Sequence, residues 1–321
     1  MSESVFKYNL EKNVNFSGIF PGQEPESGPG LSAVVTGVNM TRKHLEIPDS
    51  LGGAPVRAIA PHAFRGDTVL RSVSLPPTLV SVGAFAFHDC SELQEITLYD
   101  GIRDFHTGAI RHDLRLEQIR MYVNEGNYTV MRDILSDTDA MLRFCLIMPD
   151  GEARLLFPGY VYAFAENTMA RTIQFTISGC GMAYRECVRR KGISWREYDR
   201  QFRHVIPDDP HAAALIAADR LLYPYDLAPA HKEAYEDYLR SRAARVLEQF
   251  VHNLAEDRRQ EEDGYARLSL MADLGLITGE AADGALRLAT DLKMTRACGI
   301  ILSGREKQKE GAEDMLSLDD W

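Results

Sequence analysis

The chain has 321 residues, 45% of them hydrophobic and 26% charged, the proportions of a soluble globular protein with room for two domains. Lys and Arg number 36 against 47 Asp and Glu, and the net charge of −11 argues against binding nucleic acid or anionic membrane through bulk charge. The five cysteines, Cys90, Cys145, Cys180, Cys187 and Cys298, are odd in number, widely spaced and without a CxxC pair, which argues against a disulfide framework or a zinc ribbon.

The first residues, Met1 to Tyr8, hold no apolar run that reads as a signal peptide, and nothing approaches the roughly 18 apolar residues of a membrane span. A cytoplasmic protein with reduced thiols is therefore expected. Residues 1–30 read as an N-terminal extension, with Gly, Pro, Glu and Ser crowded between Pro21 and Gly30 in the manner of a mobile link.

A 23-residue period follows. Val56 falls on Leu79 and Ile102; Ile59 on Val82 and Phe105; Ala63 on Ala86 and Ala109; Phe64 on Phe87 and Ile110. The same shift aligns Leu70, Leu93 and Leu116; Val73, Ile96 and Ile119; and Leu75, Leu98 and Met121. Ser72–Leu75, Glu95–Leu98 and Gln118–Met121 alternate polar and apolar, so they read as short strands with one buried face. One strand per period, with the chain returning each time, predicts a parallel ladder in a solenoid whose units bury their apolar sides only by stacking. On the return leg Ala allows close approach and Phe fills the space between layers.

These residues resemble the BspA-type leucine-rich repeat family, whose Ile-Pro, Val-x-x-Ile-Gly-x-x-Ala-Phe and Leu-x-x-Val-x-Leu-Pro segments are well matched over residues 72–98. Residues 45–71 match with a five-residue insertion around Gly52-Gly53-Ala54-Pro55, and in the third copy Tyr99 replaces the proline and His106 the glycine. Leu31–Val38 followed by Leu45–Ile47 is similar to the family's opening hairpin, so the solenoid is expected over residues 31–125. The resemblance implies molecular recognition and no catalytic residues. Family members are often secreted or surface-displayed, whereas no export signal is read here.

Residues 126–180 read as a β-hairpin and strand region. Leu142–Met148, the turn Pro149-Asp150-Gly151 and Glu152–Phe157 form the hairpin, and Arg171–Ser178 alternates as a half-buried strand. Residues 181–304 read as an α-helical domain. Ser194 and Glu197 form a capping box, Pro210 starts a helix through Leu222, and the long stretch His231–Asp257 reads as strongly helical. Three short helices over residues 265–303 break at Gly275 and near Lys293. Arg267–Gly275 and Arg296–Gly304 repeat at a spacing of 29 and resemble ankyrin-like helix pairs, and repeats joined to such a helical part suggest a bacterial source. Residues 305–321 read as a charged tail.

Four clusters invite a functional reading. His88-Asp89-Cys90 has metal-ligand chemistry, but the repeat aligns it with Arg65-Gly66-Asp67 and Arg111-His112-Asp113, a solvent-facing turn, and the structural reading is preferred. Gly179-Cys180-Gly181 lacks the third glycine of a dinucleotide fingerprint, with Tyr184 in its place, so it reads as a turn. Residues 185–204 hold Arg185, Arg189, Arg190, Lys191, Arg196, Arg200 and Arg203 with Trp195, Tyr198 and Phe202 interleaved. An amphipathic helix pair explains that run better than an anion or RNA patch does. The acidic end around Met315 and Leu316 reads as a flexible tail in preference to a docking peptide.

The sequence thus predicts an α+β protein: a short leucine-rich solenoid with a parallel β ladder, a β-hairpin region and an α-helical C-terminal domain. Its expected role is a non-enzymatic intracellular scaffold that binds a protein partner and needs no cofactor or metal. The outward strand residues Ser72, Ser74, Glu95, Thr97, Gln118 and Arg120 are the expected partner face. Two alternatives remain open: an enzyme or enzyme regulator with a site near Cys180, Arg185 and His204 between the β and helical parts, and an anion or RNA binder using residues 185–204.

Overall fold

The computed structural model describes residues 5–12, 30–167, 172–256 and 261–318. The chain divides into two compact units, Met1–Asp208 and Asp209–Trp321.

The first unit is built on a β-solenoid. Its strands in chain order are β1 (Phe6–Lys12), β2 (Leu31–Val38), β3 (His44–Glu46), β4 (Ser50–Leu51), β5 (Ala54–Ile59), β6 (Ser72–Ser74), β7 (Ser81–Val82), β8 (Glu95–Tyr99), β9 (Asp104–Phe105) and β10 (Gln118–Tyr122). β3, β6, β8 and β10 stack in parallel and in register, Leu45 on Val73 on Ile96 on Ile119, as the 23-residue period requires. All four of these side chains are buried.

Each turn carries two strands rather than one. The return legs form a second parallel ladder, β2-β5-β7-β9, with Ile59 on Val82 on Phe105. Its later strands are two residues long, too short for alternation to mark them in the sequence. The expected hairpin of Leu31–Val38 with Leu45–Ile47 is not formed. β2 and β3 lie in different sheets because each finds its parallel partner in the next turn, β5 and β6 respectively. The hairpin at this end is β1 with β2, so residues from the N-terminal extension cover the first layer. The mobile link read between Pro21 and Gly30 lies, up to Pro29, outside the described residues. The insertion makes β4, which turns back on β5 through Gly52 and Gly53 at φ +58° and +76°.

Between the ladders the repeats interlock through their turns. Phe64 and Phe87 stack at 5.1 Å with planes 4° apart, and Ala86 and Ala109 are fully buried. Backbone bonds join successive turns, Phe64 N–H to Ala86 O and Phe87 N–H to Ala109 O, both at 2.8 Å.

The ladder does not end with the period. Helix α1 (Thr129–Asp137) packs against β9, burying Val130, Met131, Ile134 and Leu135. The hairpin β11 (Leu142–Met148) and β12 (Gly151–Phe157) then joins the longer sheet, β11 running parallel to β10. Its two-residue connection is Pro149-Asp150, as the turn chemistry predicts. A separate hairpin follows, β13 (Val161–Asn167) with β14 (Thr172–Ser178). Helix α2 (Gly181–Glu186), the short pair β15 (Val188–Arg189) and β16 (Gly192–Ile193), and helices α3 (Trp195–Arg200) and α4 (Phe202–Asp208) complete the unit. The capping box is absent: Ser194 makes no side-chain cap bond, and Glu197 pairs with Arg189 at 3.7 Å.

The second unit is helical: α5 (Pro210–Leu222), α6 (Pro229–Ser241), α7 (Ala243–Glu256), α8 (Glu261–Asp273), α9 (Gly279–Asp291) and α10 (Thr295–Leu318). Asp209 caps α5, accepting the Ala212 N–H at 3.0 Å, with Pro210 in the first turn. The stretch His231–Asp257 is helical over α6 and α7, which meet at Arg242. The breaks at Gly275 and Lys293 are left-handed residues, φ +69° and +58°. Gly304 does not end a helix. It sits inside α10, where an added Cβ would stand 2.9 Å from Ala272 Cβ and 2.8 Å from Ile277 Cδ1, so glycine there sets how closely α10 packs on α8.

Candidate functional site

The outward side of the longer sheet is a grid fixed by strand register. One row runs His44, Ser72, Glu95, Gln118, Arg143, Leu156; the next runs Glu46, Ser74, Thr97, Arg120, Cys145, Arg154. Exposure falls along the first row, from exposed His44 through half-buried Ser72 and Glu95 to buried Gln118, Arg143 and Leu156. Ser74, Thr97 and Arg120 stay half-buried in the second row. Gln118, placed on the open face by alternation, is 7% exposed, because the added β11 sets Arg143 beside it. Alternation gives the direction of a side chain and says nothing about what later covers it.

The open part of this face is held in place by its own contacts. His44 Nδ1 and Ser72 Oγ hydrogen-bond at 2.8 Å, and Arg120 Nε donates to Glu95 Oε1 at 3.4 Å. Beside the polar rows Tyr99 and Tyr122 stack at 4.9 Å, both half-buried. Burial, then the neighbouring Tyr122, pushes the Tyr99 hydroxyl above its ordinary value. Sequence reasoning passed over this pair, although the replacement of the repeat proline by Tyr99, with Tyr122 23 residues on, was its signal.

The turns of the solenoid carry a second feature. His62, Phe85 and Gly108 share a left-handed backbone at φ +61°, +58° and +80°, and Gly66, Asp89 and His112 share another at +73°, +62° and +69°. Both sets repeat every 23 residues, and four of the six positions hold residues other than glycine, at a steric cost. His88 Nδ1 lies 3.3 Å from Asp89 Oδ2, and His112 Nδ1 lies 3.5 Å from Asp89 Oδ1. Cys90 is not part of that group: it is buried, its thiol donates to Phe64 O at 3.2 Å, and burial pushes its pKa up. Asp113 accepts the Cys90 N–H at 2.8 Å, and burial lifts its carboxyl to about 8.

The third place holds Cys180 and His204. Both line a shallow, open depression of about 540 Å³ with Gly179, Ala183, Gln201 and Asp208. Cys180 N–H donates to Asp208 Oδ2 at 2.8 Å, and His204 Nε2 accepts from Arg203 Nε at 3.1 Å. Arg185 is committed elsewhere. Its guanidinium donates to the carbonyls of Leu135, Pro158, Gly181 and Ala140 at 2.5–3.3 Å, and burial pulls its pKa down to about 10. In the basic run, Tyr198 and Phe202 are buried, and Tyr198 Oη donates to Leu156 O at 2.7 Å, whereas Lys191, Arg196, Arg200 and Arg203 are exposed. No helix among the described residues is long and apolar enough to cross a membrane.

Comparison with solved structures finds leucine-rich repeat proteins. One from Bacteroides ovatus is 20% identical over 37% of this chain and 30% of its own, with a TM-score of 0.29. One from T. pallidum is 17% identical over 46% of this chain and 83% of its own, TM-score 0.24. A leucine-rich cell surface protein from Faecalibacterium prausnitzii is 17% identical over 44% of this chain and 41% of its own, TM-score 0.26. The chain thus spans less than half the length of the Bacteroides and Faecalibacterium proteins. No curated protein matches it. The sequence model of the BspA type Leucine rich repeat region matches six copies over residues 41–135, and with the two stacked ladders that stretch is a BspA-type leucine-rich repeat solenoid.

Proposed function

We propose that the protein is a non-enzymatic intracellular scaffold that binds a protein partner on the open side of its longer sheet. The observation that carries the reading is the register-locked patch of Ser72, Ser74, Glu95, Thr97 and Arg120 beside the stacked Tyr99 and Tyr122. Short side chains leave the backbone plane accessible. The ion pair Glu95–Arg120 offers charges of both signs, and two tyrosines already held by stacking lose little rotamer freedom when a partner covers them. Leucine-rich repeats in general are a protein-interaction fold, which supports the same direction. Gln118 is left out of the face because it is buried.

The enzyme reading has weaker support. Arg185, the cation it would use, is spent on four backbone carbonyls, and the depression beside it is open to solvent. The test is affinity capture from the native cytosol with wild type and with Thr97→Arg/Tyr122→Ala. A stoichiometric partner retained by wild type and lost from the variant supports the reading. A partner retained equally by both sinks the assignment of the face.

A further inference from the structure

We infer that His88, Asp89 and His112 form a site for a transition-metal dication of the zinc class, bridging two successive turns of the solenoid. One candidate ligand atom from each of the three residues lies within 4.8 Å of the others. Zinc bonds of about 2.0–2.1 Å in a tetrahedron place ligand atoms about 3.3–3.4 Å apart. Each histidine stands near that separation from one oxygen of the shared carboxylate, His88 Nδ1 3.3 Å from Asp89 Oδ2 and His112 Nδ1 3.5 Å from Asp89 Oδ1. The His112 side chain is exposed, which leaves its ring free to turn toward a shared ion.

A second observation points to a ligand. His88 is 9% exposed, and its buried Nδ1 makes no aligned hydrogen bond, facing Asp89 Oδ2 at 3.3 Å. A buried ring nitrogen that faces a carboxylate without an aligned hydrogen bond is under-satisfied, because burial has stripped its water and the contact replaces that bond poorly. A metal ion would supply that bond.

The backbone delivers the other two ligands. Asp89 and His112 occupy matching left-handed positions one turn apart, where the preceding turn has Gly66. Stacking of the turns, with Asp89 N–H donating to Arg111 O at 3.2 Å, holds their side chains on one side of the solenoid. The matching positions to His88 are Arg65 and Arg111, so of these turns only one assembles the triad.

Two imidazoles and one carboxylate carry one negative charge and a nitrogen-rich donor set. That set suits zinc, cobalt, nickel or copper and disfavours calcium and magnesium, which take oxygen ligands. Three protein ligands leave a coordination position for water or for a donor from a bound partner.

The test uses the full chain, stripped of metal, titrated calorimetrically with Zn²⁺ and with Ca²⁺, and with Co²⁺ followed by its visible spectrum. The variants are Asp89→Gly and His112→Gly, which restore the residue found at Gly66 and keep the turn backbone. The expected result is one equivalent of Zn²⁺ bound in preference to Ca²⁺, weakened by at least about tenfold in either variant. Co²⁺ should give tetrahedral d–d bands without a thiolate charge-transfer band, separating this site from Cys180 and Cys298. Zn²⁺ affinity unchanged in both variants, or no binding by wild type at metal concentrations of about 0.1 mM, overturns the inference.

Discussion

The ring of Phe85 occupies the space that a side chain at Gly108 would need: an added Cβ there would stand 2.5 Å from Phe85 Cε1. Gly108 also holds φ +80°, and its N–H donates to Asp137 Oδ1 at 2.6 Å. Asp137, at the end of α1, accepts from Ile110 N–H as well, at 3.1 Å, so α1 is tied to the third turn of the solenoid. Gly108→Ala therefore meets a left-handed backbone and a blocked site together. It should cost about 2–4 kcal/mol, the sum of roughly 1–2 for the backbone and 1–3 for overpacking, reduced by partial relaxation. Urea unfolding followed by circular dichroism reads this out, and a cost below about 0.5 kcal/mol would show that the turn relaxes freely.

The helical unit contains a bidentate ion pair, Arg267 Nε to Asp219 Oδ1 at 2.7 Å and Arg267 Nη2 to Asp219 Oδ2 at 3.2 Å, with side chains 4% and 1% exposed. Removing one partner takes the bidentate counter-charge away from the other in the interior. Asp219→Ala or Arg267→Ala should each destabilise by about 3–5 kcal/mol, whereas the double replacement Asp219→Leu/Arg267→Met should come within about 1–2 kcal/mol of wild type. If the single and double variants lose equal stability, packing and not charge is the reason for the pair.

Asp133 on α1 has its carboxyl raised to about 6, chiefly by burial and against the pull of Arg190 and Arg132. The folded protein then holds this proton more tightly than the unfolded chain, whose carboxyl titrates near 3.9. Its contribution is present in full below about pH 4 and is lost as pH rises through 6. Asp133→Asn removes that dependence, so the difference in Tm between variant and wild type should grow in the variant's favour from pH 4 to pH 7. A difference constant across that range would contradict the assignment.

What the sequence made legible follows from periodicity. Leu45, Val73, Ile96 and Ile119 stack because a parallel solenoid repeats its side-chain pattern turn by turn, and that pattern survives in the residues. The second ladder was hidden, because Ser81–Val82 and Asp104–Phe105 are strands of two residues with no alternation to detect. Burial of Gln118 was hidden for a different reason: β11, which sets Arg143 beside it, comes from sequence beyond the last repeat. The convergence of His88 with His112 needed the left-handed turn geometry, and residue identity alone suggested Cys90 as the third member. The helical domain was read as ending at Gly304, but glycine there serves packing between helices, a tertiary cause that local rules do not see.

The central claim is that the patch around Thr97, Tyr99 and Tyr122 binds the partner. The most direct measurement is calorimetric titration of the captured, purified partner into wild type, Thr97→Arg and Tyr122→Ala, each first shown to unfold at the wild-type temperature. The account predicts a loss of at least about thirtyfold in affinity for each variant, the roughly 2 kcal/mol of a central interface residue. Affinity unchanged in both would place the interaction elsewhere on the molecule and contradict the proposed face.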